Sequence, residues 1–280
     1  MTMRRCFVGE FVGTFLLVFF GCGSVASAIL TPAALGAFPV AMIWGLGIVV
    51  AIHLTASLSG AHLNPAVTIA FACWRGFSRA LVPVYLAAQM LGAFAAAAAL
   101  HGLFHQALLR YESLHHLVRG QTGSEATAMI FGEFFPNPGG MPLPAAEALP
   151  LVSSVQAFGA EVIGTAILLL VICGLSDRRH RSYSLTVVAC GVGFTVTLLI
   201  CLLGPLTMAC FNPARDLAPR LYSALAGWGA VPFSTNGWGW LTVYVLAPVI
   251  GAWLGAGFYF RVLAPLPVDS EAAKLSDEPT

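Results

Sequence analysis

Apolar residues run in long blocks, parted by short stretches that hold the Gly, Pro and charged positions. A helix needs about 20 apolar residues to cross a bilayer. Six blocks qualify: near 6–30, 38–58, 81–105, 155–175, 184–203 and 241–262. Pro32, the stretch from Pro136 to Pro150 and Pro232 fall between blocks, where breakers belong. Two segments interrupt the pattern from within. SGAHLNPAVTIA (Ser59 to Ala70) and TMACFNPARDLA (Thr207 to Ala218) each follow a span closely and carry an Asn-Pro-Ala core. About ten helix-compatible residues follow each core, about 15 Å of helix, or half the hydrocarbon thickness. Pro is favoured in a first helical turn because its missing N–H would be unsatisfied anyway. Asn is a preferred cap just before it. The pattern predicts a short helix over 65–75 capped by Asn64, and another over 213–223 capped by Asn212.

The chain also repeats itself. GEFVGTFLLVFFG (Gly9 to Gly21) aligns with AEVIGTAILLLVICG (Ala160 to Gly174), matching Glu10 to Glu161 at an offset of 161 − 10 = 151. Gly45-Leu46-Gly47 aligns with Gly191-Val192-Gly193, and Asn64-Pro65-Ala66 with Asn212-Pro213-Ala214. Each half then holds three spans, an odd number, so the second half enters the membrane from the opposite side. That is an inverted-topology repeat about an axis in the membrane plane. Repeat one covers about 6–105 and repeat two about 155–262, within one transmembrane domain over 1–263. Small residues four apart (Gly9 and Gly13, Ala160 and Gly164) fit close helix crossings.

Composition supports a lipid solvent. The 280 residues are 58% hydrophobic and 9% charged, against about 25% charged in soluble domains. The net charge of +1 gives no reason to expect nucleic acid. None of the seven Cys falls in the long polar connection over about 106–153, so a disulfide framework is not expected. Arg4-Arg5 and Ala26-Ser27-Ala28 imitate a signal peptide, but the run from Cys6 to Leu30 exceeds an h-region of about 7–15 residues. It is read as a retained first span. With both termini cytoplasmic, nine Lys or Arg lie inside (4, 5, 75, 79, 178, 179, 181, 261 and 274) and four outside (110, 119, 215 and 220). That satisfies the positive-inside bias. The tail 264–280 is acidic and expected to be disordered.

Inversion makes the two short helices enter from opposite faces and meet by their N-termini at the midplane. The residues before each Asn are then non-helical backbone at membrane depth: Gly60, Ala61, His62 and Met208, Ala209, Cys210. Such backbone survives only when buried in protein or lining water, so its carbonyls are expected to form a ladder along a pore. Two helix N-termini contribute roughly half a positive charge each. They repel cations and protons, while neutral solutes that accept hydrogen bonds from the Asn amides pass.

Glu10 and Glu161 are the only carboxylates within spans. An intramembrane acid flags function by default, but their symmetric placement fits a structural task, accepting hydrogen bonds from the loop N–H groups before each Asn. His62 fits the same network. His101 and His105 have i, i+4 spacing without an evident third ligand, so no metal site is expected. Asp216 and Arg220, one turn apart, are placed to pair.

These residues resemble the aquaporin superfamily, specifically the bacterial glycerol facilitator branch. The matching segments are IWGLGIVVAIHLTASLSGAHLNPAVTIA, HHLVRG, FFPNP, GPLT, NPARD and LAPVIGA, and the likeness covers all but the extreme tails. It implies the aquaporin fold, an all-α membrane protein with six transmembrane helices plus two re-entrant half-helices. It implies a homotetramer in the inner (plasma) membrane with one pore per protomer and no cofactor. It also implies a selectivity filter, which maps to Trp44, Ile200, Ala209 and Arg215. Trp44 and Arg215 fit the glycerol pattern. Facilitators usually have Gly where Ile200 stands and an aromatic where Ala209 stands. Arg215 offers five fixed donors for solute hydroxyls, and Trp44 an apolar face for the carbon edge of a polyol.

The expected function is a passive channel for glycerol and other small neutral solutes, urea or other polyols among them, with some water. The alternatives are a channel mainly for water or uncharged metalloid acids, or a proton-coupled secondary transporter, which also uses inverted repeats and broken helices. The sequence offers no unpaired midplane acid for coupling. It offers no nucleophile–base pair or metal triad for an enzyme.

Overall fold

A computed structural model describes residues 2–143, 151–177 and 183–264. The acidic tail beyond Ala264, with Lys274, and the loop residues Arg178, Arg179 and Arg181 lie outside them. The described residues are helical, with no strand among them. Six helices are long and apolar enough to cross a membrane: α1 (Met3–Leu30), α2 (Ala37–Ser59), α4 (Val82–Leu114), α5 (Ser154–Ser176), α6 (Leu185–Thr207) and the composite α8 (Gly239–Leu263). Between them stand two short helices, α3 (Pro65–Trp74) and α7 (Pro213–Ser223).

Two boundaries differ from those expected. The helix α4 runs nine residues past 105, through RYESL, because its buried Leu108 and Glu112 pack inward after the uniformly apolar run has ended. The helix α6 continues through Pro205 to Thr207. The outer connection is therefore shorter than 106–153 and carries a further helical turn, Glu125–Ala128.

Packing follows the repeat. The helix α1 lies against α2 and α4, and α5 lies against α6 and α8. A Cβ on Gly92 would meet the Phe11 carbonyl at 2.3 Å, and one on Gly255 the Ala166 carbonyl at 2.2 Å. The backbones of α1 and α4, and of α5 and α8, thus touch where small residues permit it. Each short helix packs on the last span of the other half, α3 on α8 and α7 on α4.

Candidate functional site

Both short helices begin as their sequences dictate. Asn64 and Asn212 are extended N-caps, followed by Pro in the first turn. The Asn64 side-chain oxygen accepts from Ala66 N at 2.8 Å, and that of Asn212 from Ala214 N at 3.1 Å. The two caps also bind each other's segments. Asn64 Nδ2 donates to the Phe211 carbonyl at 2.8 Å, and Asn212 Nδ2 donates to the Leu63 carbonyl at 2.8 Å. The helices therefore meet tip to tip. Each Asn nitrogen gives one proton across the junction and keeps a second.

The chain before each cap is forced into an unusual shape. Gly60, Ala61 and Leu63 have positive φ, and so do Met208, Ala209 and Phe211, at corresponding places in the second half. A non-Gly residue there costs about 1–3 kcal/mol. Buried carboxylates offset this. Glu10 accepts from His62 N at 2.9 Å and Leu63 N at 2.7 Å. Glu161 accepts from Cys210 N at 2.9 Å and Phe211 N at 2.8 Å. Gln89 and Thr207 complete the two carboxylate shells, each at 2.7 Å. His62 joins the first through Nδ1 and the Thr68 hydroxyl, 3.1 Å apart.

A cavity of about 910 Å³ passes these loops. Arg75, Ser176 and Asp177 line it, and so do Trp44, Ile200, Ala209 and Arg215. Gly60, Ala61, His62, Asn64, Cys210 and Asn212 line it too. Met208, expected in the carbonyl ladder, is not among the lining residues. Its sulfur accepts from Phe134 N at 3.3 Å in a separate apolar cluster.

The four residues expected to form the filter all line this cavity, and two of them touch. The Arg215 guanidinium carbon lies over the Trp44 ring, 4.4 Å from its centroid. Arg215 donates to the Phe131 carbonyl at 3.4 Å and forms an ion pair with the fully buried Glu133. Burial raises the proton affinity of the Glu133 carboxyl, and the adjoining guanidinium opposes that rise. Behind this pair, Asp216 accepts from Glu133 N at 2.7 Å and from Arg220 at 2.7 and 2.8 Å. Two acids and two bases thus neutralise one another in the interior, as buried charges must. Glu133 was missed in the sequence reading. Its signal was a lone acid in the apolar run FGEFFP. His101 is satisfied by Tyr222 at 2.8 Å and Arg119 at 3.2 Å. No His, Cys, Asp and Glu group fit for a metal occurs among the described residues.

The family model described as major intrinsic protein matches residues 1–259. The glycerol uptake facilitator protein of Pseudomonas aeruginosa is 40% identical over 274 residues, covering 97% of this chain and 93% of the relative. That of Escherichia coli is 38% identical over 271 residues, covering 96% and 92%. The propanediol uptake facilitator of Citrobacter freundii is 39% identical over 257 residues, covering 90% and 89%. The X-ray structure of the aquaglyceroporin from Plasmodium falciparum superposes with a TM-score of 0.80 at 30% identity, covering 94% of this chain and 98% of that one. The chain belongs to the major intrinsic protein family.

Proposed function

We propose that this protein is a passive transmembrane channel for glycerol and other small neutral solutes, with some water, and that it is not an enzyme. One observation carries the reading: a cavity lined by both Asn caps at the junction of two opposed helix N-termini. There the second amide proton of each Asn is available to a solute oxygen, while the two positive helix ends oppose cations and protons. The facilitator names of the relatives support glycerol as the solute.

Trp44, Ile200, Ala209 and Arg215 serve as the selectivity filter in this reading. Arg215 binds hydroxyls and Trp44 faces the carbon edge. Ile200 and Ala209 set a more aliphatic wall than facilitators usually have. The carbonyls of Gly60, Ala61, His62, Ala209 and Cys210 supply acceptors along the path. Glu10 and Glu161 act as loop supports, not as proton carriers, because loop N–H groups occupy both carboxylates. A proton-coupled transporter would need one of them free.

The protein sits in the inner membrane with both termini cytoplasmic, which follows the Lys and Arg asymmetry. Leu46, Val50 and Leu54 of α2 and Phe194, Leu198 and Leu202 of α6 are exposed on the monomer, which suits lipid contact or a homotetramer. Light scattering by proteoliposomes tests the channel. Glycerol influx well above that of empty vesicles is expected, and equal influx rejects the proposal.

A further inference from the structure

We infer that Gly21 determines the solute specificity of the filter by seating the Trp44 indole, without touching solute itself. The inference rests on the channel reading above. Trp44 lines the cavity, whereas Gly21 is buried and does not. Gly21 therefore lies behind the indole. A Cβ on Gly21 would meet Trp44 Cε3, Cζ3 and Cδ2 at 2.2, 2.2 and 2.3 Å. Three nearly equal distances to adjoining ring atoms put that Cβ over the ring face, not at its edge. The indole therefore lies flat against the α1 backbone.

The helix that carries Trp44 has no room to withdraw. On one side, a Cβ on Gly47 would meet Phe20 Cβ of α1 at 2.7 Å. On the other, a Cβ on Gly45 would meet the Gly193 carbonyl of α6 at 2.6 Å and Thr197 Oγ1 at 2.1 Å. The helix α2 is clamped between α1 and α6, with α6 backbone in direct contact. A methyl at position 21 must therefore be accommodated by the indole. Ordinary contact begins near 3.4 Å, so the ring must move 3.4 − 2.2 = 1.2 Å. Trp44 borders the cavity, so the ring gives way into it, where it crowds the Arg215 guanidinium now 4.4 Å from its centroid. In a pore whose diameter selects the solute, such a shift penalises a carbon chain more than water.

The test compares full-length protein, Gly21→Ala, Trp44→Ala and the double variant in liposomes, measuring glycerol and water flux per folded channel. Ala carries no ring at all, so it removes all three close contacts. Gly21→Ala is expected to lower glycerol flux by about tenfold and water flux by less than about threefold. Adding Gly21→Ala to Trp44→Ala should change either flux by less than about twofold. An unchanged glycerol-to-water ratio in Gly21→Ala overturns the inference. So does an equal fall of both fluxes, or an equal loss on either background. Should Gly21→Ala fail to reach the membrane folded, the double variant must recover abundance, and failure to recover overturns the inference too. Parent protein with no glycerol flux above empty vesicles would instead sink the channel reading.

Discussion

Arg215 is more than nine-tenths buried, and its charge is paired with the carboxylate of Glu133. Removing one partner of a buried pair leaves an uncompensated charge, at about 3–5 kcal/mol. Glu133→Gln should therefore lower the melting temperature in detergent and also cut glycerol flux per folded channel. Parent-like flux in the folded fraction would show that the pair does not set the place of Arg215. The other end of the filter argues from size. Ala209 leaves space that an aromatic would fill, so Ala209→Phe should narrow the passage and restrict longer polyols. Equal permeation of a five-carbon polyol before and after the change would refute the assignment of Ala209. These positions differed in how legible they were. Arg215 was marked by its place after Asn-Pro-Ala. Glu133 lies 82 residues earlier (215 − 133) in an irregular loop, and only folding brings the two together.

At the scale of elements, the two capped half-helices were readable because their signals are local. Asn caps and Pro in the first turn act within three residues, and the expected bounds of 65–75 and 213–223 agree with the observed helices to one residue. Glu10 and Glu161 were readable from symmetry, since each stands at the same place in its half. What sequence did not reveal is the price in backbone shape, positive φ at Ala61, Leu63, Met208, Ala209 and Phe211. Nothing local demands αL at such residues. Tertiary hydrogen bonds impose it. The same reasoning predicts the effect of losing a support. Glu161→Ala orphans Cys210 N, Phe211 N and the Thr207 hydroxyl, at about 1–3 kcal/mol for each buried group. The second loop should then relax, and flux and melting temperature should fall together. Glu161→Gln keeps an acceptor and should recover part of both. If Glu161→Ala melts like the parent, the carboxylate is not the support of this loop.

At the scale of the whole molecule, the inverted repeat explains why the path resists coupling. Each half contributes one short helix, and the two are joined at their tips by reciprocal Asn-to-carbonyl bonds of equal length, 2.8 Å. Alternating access requires one half to rock against the other around a central site. Here such rocking would break both bonds and part α2 from α6 where their backbones touch at Gly45 and Gly193. A fixed junction beside a cavity lined by residues of both halves favours continuous passage. Glycerol flux should therefore rise in proportion to its gradient, run equally in either direction, and ignore an imposed proton gradient. Planar bilayers holding the protein should pass no ion current above background, since two helix N-termini and Arg215 all oppose cations along the path. Accumulation of glycerol against its gradient on acidifying one side would contradict this mechanism, because a fixed pore has no means of tying solute movement to that of a proton.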